Sequence, residues 1–269
     1  MTYYACIGFP VRDARDLRRL EEEAAQSGEE IVSGPGLGLR RWAPGAGVEL
    51  WAEMGPQGEV LGALPFYDSG RDHLLAVVAA NPDPDHPEEG WIEAWINPLD
   101  LQEPYSGEFP LVCDLVDYLA AGPILENLPR TVRARLTVFL HEASLFEDEL
   151  ELVEAAQRLG FRLPPRTFAS TTHLSLDEGT DRERPEATAL LSGRIVQADR
   201  VSNPLTGHPF LALAVDVGKV TLDAVAPAEL LPDVERRLLR GALLLQGAGW
   251  VLGKIVAYPP NMTDSSARR

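Results

Sequence analysis

Lysine is almost missing from this chain: Lys219 and Lys254 are the only two among 24 basic residues. Arginine supplies the rest, and the many alanines, leucines, glycines and prolines point with it to a GC-rich bacterial genome, not to a functional choice. Cysteine is equally sparse. Cys6 and Cys113 each lie in an apolar, strand-like run, so two buried free thiols and a cytoplasmic setting are expected. No apolar run approaches the roughly 18–20 residues that span a bilayer, which excludes a membrane helix. The first ten residues lack the basic region and cleavage site of a signal peptide. Neither cysteine has a histidine nearby, and neither a Cys-x-x-Cys nor a Gly-x-Ser-x-Gly motif occurs. Gly34-Pro-Gly-Leu-Gly38 is rich in glycine, but it precedes a strand and has no lysine, which argues against a phosphate-cradling loop.

Negative charge is plentiful and unevenly spread. Residues 185–269 hold nine basic and eight acidic side chains, so the first 184 carry a formal −18 against −17 for the whole chain. Such a field repels polyanions, because nucleic-acid affinity comes largely from neutralising phosphates. At 269 residues the chain has room for two domains.

The amino-terminal part reads as mixed helix and strand. Tyr3–Val11 is a strand candidate. Asp13 fits a helix N-cap, with Asp16 three residues on and Leu17, Leu20 and Ala24 at helical spacing as far as Gln26. Strands are expected at Leu37–Trp42, Val48–Met54, Val60–Phe66, Leu74–Ala80 and Trp91–Asn97, divided by Gly- and Pro-rich turns. Phe109–Val112 leads into Asp114–Ala121, where periodicity does not separate strand from helix. Val132–Phe139 alternates as a half-buried strand. Ser144-Leu-Phe-Glu147 has the form of a capping box before a helix marked by Leu152, Ala155, Ala156 and Leu159. The apolar-free stretch Asp177–Pro185 suits a linker.

Beyond it, Leu190–Val201, Phe210–Val217 and Val220–Val225 read as three strands. A helix follows from Pro227 to about Arg240, and Gly241–Val256 reads as two last strands broken by glycines. This strand–strand–strand–helix–strand–strand order resembles the OB-fold, a five-stranded barrel with its helix between the third and fourth strands. The order of residues 3–66, in turn, looks like a half-unit of the vicinal-oxygen-chelate enzymes. That family's metal ligands are not carried over, since the first strand offers Tyr4, Cys6 and Gly8 and only Glu49 stands on a later one. The expected fold is therefore α+β: an acidic mixed domain with mostly antiparallel sheet over 1–176, an OB-like barrel over 186–259, and a disordered tail over 260–269.

Candidates for chemistry are few. His73 follows Asp72, and His141 precedes Glu142, so each could serve as a general base steered by a carboxylate. Asp83, Asp85 and His86 sit in the densest ligand-capable loop, Asn81–Gly90. Its prolines and its lack of a bend glycine favour a solvated loop over a metal site, and no cofactor is expected. On the barrel, Phe210 and Trp250 are the residues that could contact a ligand. The face carrying Phe210, Ala212, Ala214, Asp216 and Asp223 has no cation and suits packing against a domain or subunit better than a phosphate backbone. The expectation is a non-catalytic binding or protein-interaction module, with a protein partner or a second copy of the chain as its companion. A small-molecule enzyme with its site in the acidic domain is the alternative, and single-strand binding by the barrel the third.

Overall fold

The computed structural model describes residues 2–33, 36–159, 163–174 and 185–257. Of the expected linker Asp177–Pro185, residues 177–184 lie outside them, as does the tail 260–269. The structure contains helices and strands, with sheet predominating.

The first apolar run is not a strand. Tyr3–Ile7 forms a 3-10 helix, closed by Gly8 at φ +80°. A short apolar run reads alike for a buried strand and a buried turn, which is why pattern alone misassigns it. A Cβ on Gly8 would meet Asn203 Cβ and the His208 carbonyl at 2.7 Å, so only glycine lets the chain pass there. The turn at Asn203–Gly207 holds this helix: Asn203 Nδ2 donates to the Ile7 carbonyl at 2.7 Å, and Thr206 Oγ1 donates to Gly8 O at 2.6 Å.

Helix α1 (Ala14–Ser27) starts where its cap predicts. Asp13 accepts from the backbone N–H groups of Arg15 and Asp16, and Leu20, Ala24 and Ala25 form the buried face. It covers a four-stranded antiparallel sheet of β1 (Glu29–Val32), β2 (Gly38–Gly45), β3 (Val48–Met54) and β4 (Val60–Tyr67). Strand β1 had no counterpart in the sequence reading. Without a first strand, the likeness of 3–66 to a vicinal-oxygen-chelate half-unit does not extend to the structure.

The second sheet is larger and closes on itself. It comprises β5 (His73–Pro82), β6 (Gly90–Ile96), β7 (Pro110–Leu115), β8 (Arg130–Phe146), β9 (Thr167–Ser170), β10 (Thr188–Ser202), β11 (Pro209–Asp216), β12 (Thr221–Pro227) and β13 (Leu244–Ala257). Helix α2 (Tyr118–Leu125) follows β7, α3 (Glu149–Leu159) follows β8, α4 (Thr171–Leu174) follows β9, and α5 (Val234–Leu238) follows β12. Ser144 remains in β8. Asp148 caps α3 instead, accepting from the Glu151 N–H at 2.8 Å.

Strands β8 and β13 pair antiparallel along most of their length, and each belongs to two rings. One ring runs β5–β6–β7–β13–β8, the other β10–β11–β12–β8–β13. Both have four antiparallel junctions and one parallel one, β7 with β13 and β12 with β8. The segments β5–β8 and β10–β13 thus repeat one scheme: three strands, a helix, then a long strand. The start of that long strand closes its own ring and its later part closes the other.

This sharing corrects two expectations. Residues 241–256 supply one continuous strand, not two, and the glycines bend it without ending it. The ladder shifts between Ala248 and Gly249, where a Cβ on Gly249 would meet the Phe139 carbonyl at 2.6 Å. The barrel also does not close within 186–259, because its fifth strand is β8, from the region assigned to the other domain. One hydrophobic cluster fills both rings, from Leu75, Ile92 and Leu111 to Leu191, Leu213 and Leu222. A second cluster, with Phe66, Leu50, Ile7, Phe210 and Leu252, joins the rings' outer face to the four-stranded sheet.

Candidate functional site

At the parallel junction of β7 with β13, Asp114 pairs beside Leu252. Val112 and Val116 share its outward face, while Cys113 and Leu115 point into the ring. Two residues before Leu252, Trp250 donates its indole N–H to Asp114 Oδ2 at 2.7 Å. The Tyr3 ring, carried by the amino-terminal 3-10 helix, lies 4.8 Å from that of Trp250. His141 meets the edge of Tyr3 at 6.4 Å, and Phe139 backs Trp250 at 6.4 Å. Tyr3, Asp114, Trp250 and residues 185–188 line a cleft.

Burial pushes the Asp114 carboxyl up to about 7; the Trp250 N–H opposes this, and the charge of Glu89 adds to it. Other buried acids behave alike. Asp117 rises to about 7 through burial, against the pull of the Ile255 N–H, and Glu53 rises to about 8 through burial and then the charges of Glu89, Glu88 and Glu21.

A different cluster pins β13 to the four-stranded sheet. Lys254 Nζ donates to both oxygens of Glu49 at 2.9 Å and to Asp68 Oδ2 at 2.6 Å. Arg41 and Trp51 Nε1 also donate to Glu49, at 2.5 and 2.9 Å. The ammonium lies 5.7 Å from the Trp51 ring centre and 5.2 Å from that of Phe66. Burial alone would raise Asp68, but Lys254 and Arg135 outweigh it and bring the carboxyl down to about 2. Every charge here is matched, so the cluster reads as a joint between layers.

The residues singled out in the sequence do not converge. His73 is buried, its Nε2 has no hydrogen-bond partner, and burial, then Arg71, push it down to about 4. Asp72 pairs with Arg133 and Arg135. His86 is exposed, with Nδ1 3.4 Å from Glu88, and Asp85 is exposed too. Asp83 is buried, its Oδ1 accepting from the backbone of Asp85 and His86. The Asn81–Gly90 loop is therefore partly packed, not wholly solvated, since Glu88 is buried as well. Among the described residues no group of three His, Cys, Asp or Glu side chains is arranged to hold a metal ion. Phe210 is fully buried against Tyr67, and Asp223 is buried too, so neither offers the exposed face expected of it. Of these residues Trp250 alone lines the cleft, and His141 meets only the edge of its Tyr3 ring.

Sequence reading passed over Tyr3 and Asp114. The available signal was a lone carboxylate inside an apolar run, Val112-Cys-Asp-Leu-Val116, echoed by Thr221-Leu-Asp-Ala-Val225. Burial raises Cys6 to about 12 and Cys113 well above the usual thiol range, which keeps both thiols protonated. Among the described residues no helix is long and apolar enough to cross a membrane. Compared with protein families, with curated proteins and with solved structures, the chain matches none.

Proposed function

We propose that this chain is a non-catalytic protein-recognition module, with two OB-like rings sharing a strand pair and the Tyr3–Trp250–Asp114 cleft as its contact point. The observation that carries this reading is the cleft itself, where two half-buried aromatic rings stand beside a buried carboxyl on rigid strands. Aromatic anchors of this kind dominate binding energy at protein interfaces. The enzyme reading keeps no assembled pair of groups: His73 is enclosed, and His86 lies on another loop. Single-strand binding is disfavoured by the burial of Phe210 and by the formal −18 of the first 184 residues. Its affinity should stay near about 10⁻⁴ M or weaker at physiological salt.

Affinity capture on the immobilised full chain tests the reading, with wild type and Trp250→Ala compared against lysate of the native host. The expected result is a protein retained by wild type and lost from the variant. Retention that ignores both Trp250→Ala and Tyr3→Ala would remove the cleft from the account.

A further inference from the structure

We propose that the open edge of β8 at Ala143–Phe146 takes up an extended peptide segment of another protein as an added strand. This site is separate from the Tyr3 cleft and does not depend on it.

Strand β13 fixes which way that edge points. Val251 donates its N–H to the Ala187 carbonyl, and the Leu243 carbonyl accepts from Ile195, so the odd residues of β13 address the β10 side. The even residues Leu244, Gln246 and Ala248 therefore address β8, where they pair with Phe146, Ser144 and Glu142. Ala143 and Leu145 consequently turn their N–H and C=O groups away from β13. Up to this point the same edge is occupied step by step. Strand β5 pairs with it at Arg130–Ala134 and β12 at Thr137–Phe139, and the Cys6 thiol then donates to the Leu140 carbonyl at 3.4 Å. Past Leu140 no further strand follows among the described residues. Arg237 makes one long contact there, to the Leu145 carbonyl at 3.5 Å. The other ring is closed at this stage by its own chain, since Asp117 accepts the Ile255 N–H at 3.0 and 3.3 Å. Counted from the parallel junctions, Ala226 stands where Asp117 does, and it offers no carboxylate.

The edge forms one wall of a groove of 470 Å³, whose other wall is Leu230–Asp233 with Arg237 of α5. Leu145, Leu230 and Leu231 pack against the core cluster and make this groove apolar. Two walls admit a lone extended chain but not the edge of a second folded sheet, so the occupant is a single peptide segment. Its backbone would pair with Ala143 and Leu145, and apolar side chains at every second position would meet the leucines. The chain shows one sequence that this edge accepts: β12 lies on it in parallel through Asp223–Val225.

The test uses the full chain, ¹⁵N-labelled, and the peptide acetyl-Thr-Leu-Asp-Ala-Val-amide, the sequence of residues 221–225. Without peptide, the Ala143 and Leu145 amides should exchange with solvent faster than those of Ser144 and Phe146, which face β13. At about 10 mM peptide, where even weak binding is populated, their resonances should shift and their exchange should slow several-fold. Two N-methylated peptides, one blocked at Leu and Ala and one at Asp and Val, read the backbone directly. A strand turns only alternate amides to its neighbour, so one of them should bind about tenfold or more weakly and the other like the parent. Ala143→Pro, which removes an N–H that β13 does not use, should abolish the shift. Should that variant fail to fold, the N-methylated pair decides the matter on the wild-type chain. No shift, or equal binding of all three peptides, overturns the proposal. So does the same shift appearing with protein concentration alone, which would give the edge to a second copy.

Discussion

Lys254 Nζ stands 2.9 Å from each carboxylate oxygen of Glu49, tying the last strand of the shared pair to the middle of the small sheet. Both side chains are buried, so removing Lys254 leaves Glu49 with Arg41 alone and Asp68 with Arg135 alone, in surroundings where lost compensation is costly. Lys254→Ala should cost about 3–5 kcal/mol, read from urea unfolding. Pairing Lys254→Met with Glu49→Leu should recover part of that loss, because Asp68 keeps Arg135. A single variant as stable as wild type would show that the cluster contributes nothing to joining the layers.

Phe210 and Trp250 share a place among the expected ligand contacts but not a physical role. Phe210 is wholly enclosed by the second cluster, so Phe210→Ala should cost about 3–5 kcal/mol of stability through the cavity it leaves. Trp250 is half-exposed, and Trp250→Ala should cost roughly 0.5–3 kcal/mol while removing partner binding. Denaturation curves of the two variants should separate clearly. The reverse order would mean that Trp250 is the core residue of the pair.

Three buried acids set the response to pH. Asp114 and Asp117 are raised to about 7 and Glu53 to about 8, in each case by burial first. In the unfolded chain such groups ionise near roughly 4. Between these limits the folded state holds more protons, so stability is highest below the unfolded value and declines as pH rises toward about 8. Asp68, lowered to about 2, acts with the opposite sign: its contribution is present above roughly 4 and is lost as pH falls through about 2. Melting temperature should therefore fall between pH 5 and pH 8.5, and Glu53→Gln should flatten the alkaline part. A flat or rising profile would contradict the protonated state of all three.

Strands β2, β3 and β4 of the first sheet, α1 with its Asp13 cap, and the three strands from β10 to β12 were legible because each carries its own periodicity and punctuation. The shared pair was not. In Gly247-Ala-Gly-Trp250 the glycines look like a break, and only the approach of the Phe139 carbonyl shows that they bend a continuous strand. The parallel junctions join β7 to β13 and β12 to β8 across more than 80 residues, a separation that local patterns cannot report. Asp114 stayed hidden for the same reason, since its indole partner lies 136 residues away. The histidines drew notice by residue type, but their surroundings, burial for His73 and solvent for His86, are tertiary properties.

Sharing of β8 makes a definite claim about fragments. Residues 186–259 contain β10–β13 but lack the strand that pairs with both β12 and β13. Without β8 the ring loses Leu136, Val138 and Leu140 from its interior and presents two unpaired edges. The isolated fragment 186–259 should therefore show no cooperative melting and a collapsed spread of amide resonances. Adding residues 1–174 in trans, which carry β8, should restore dispersion and a sharp transition. A fragment that folds alone would show that the ring closes without β8, and would return the domain boundary to the 177–184 segment.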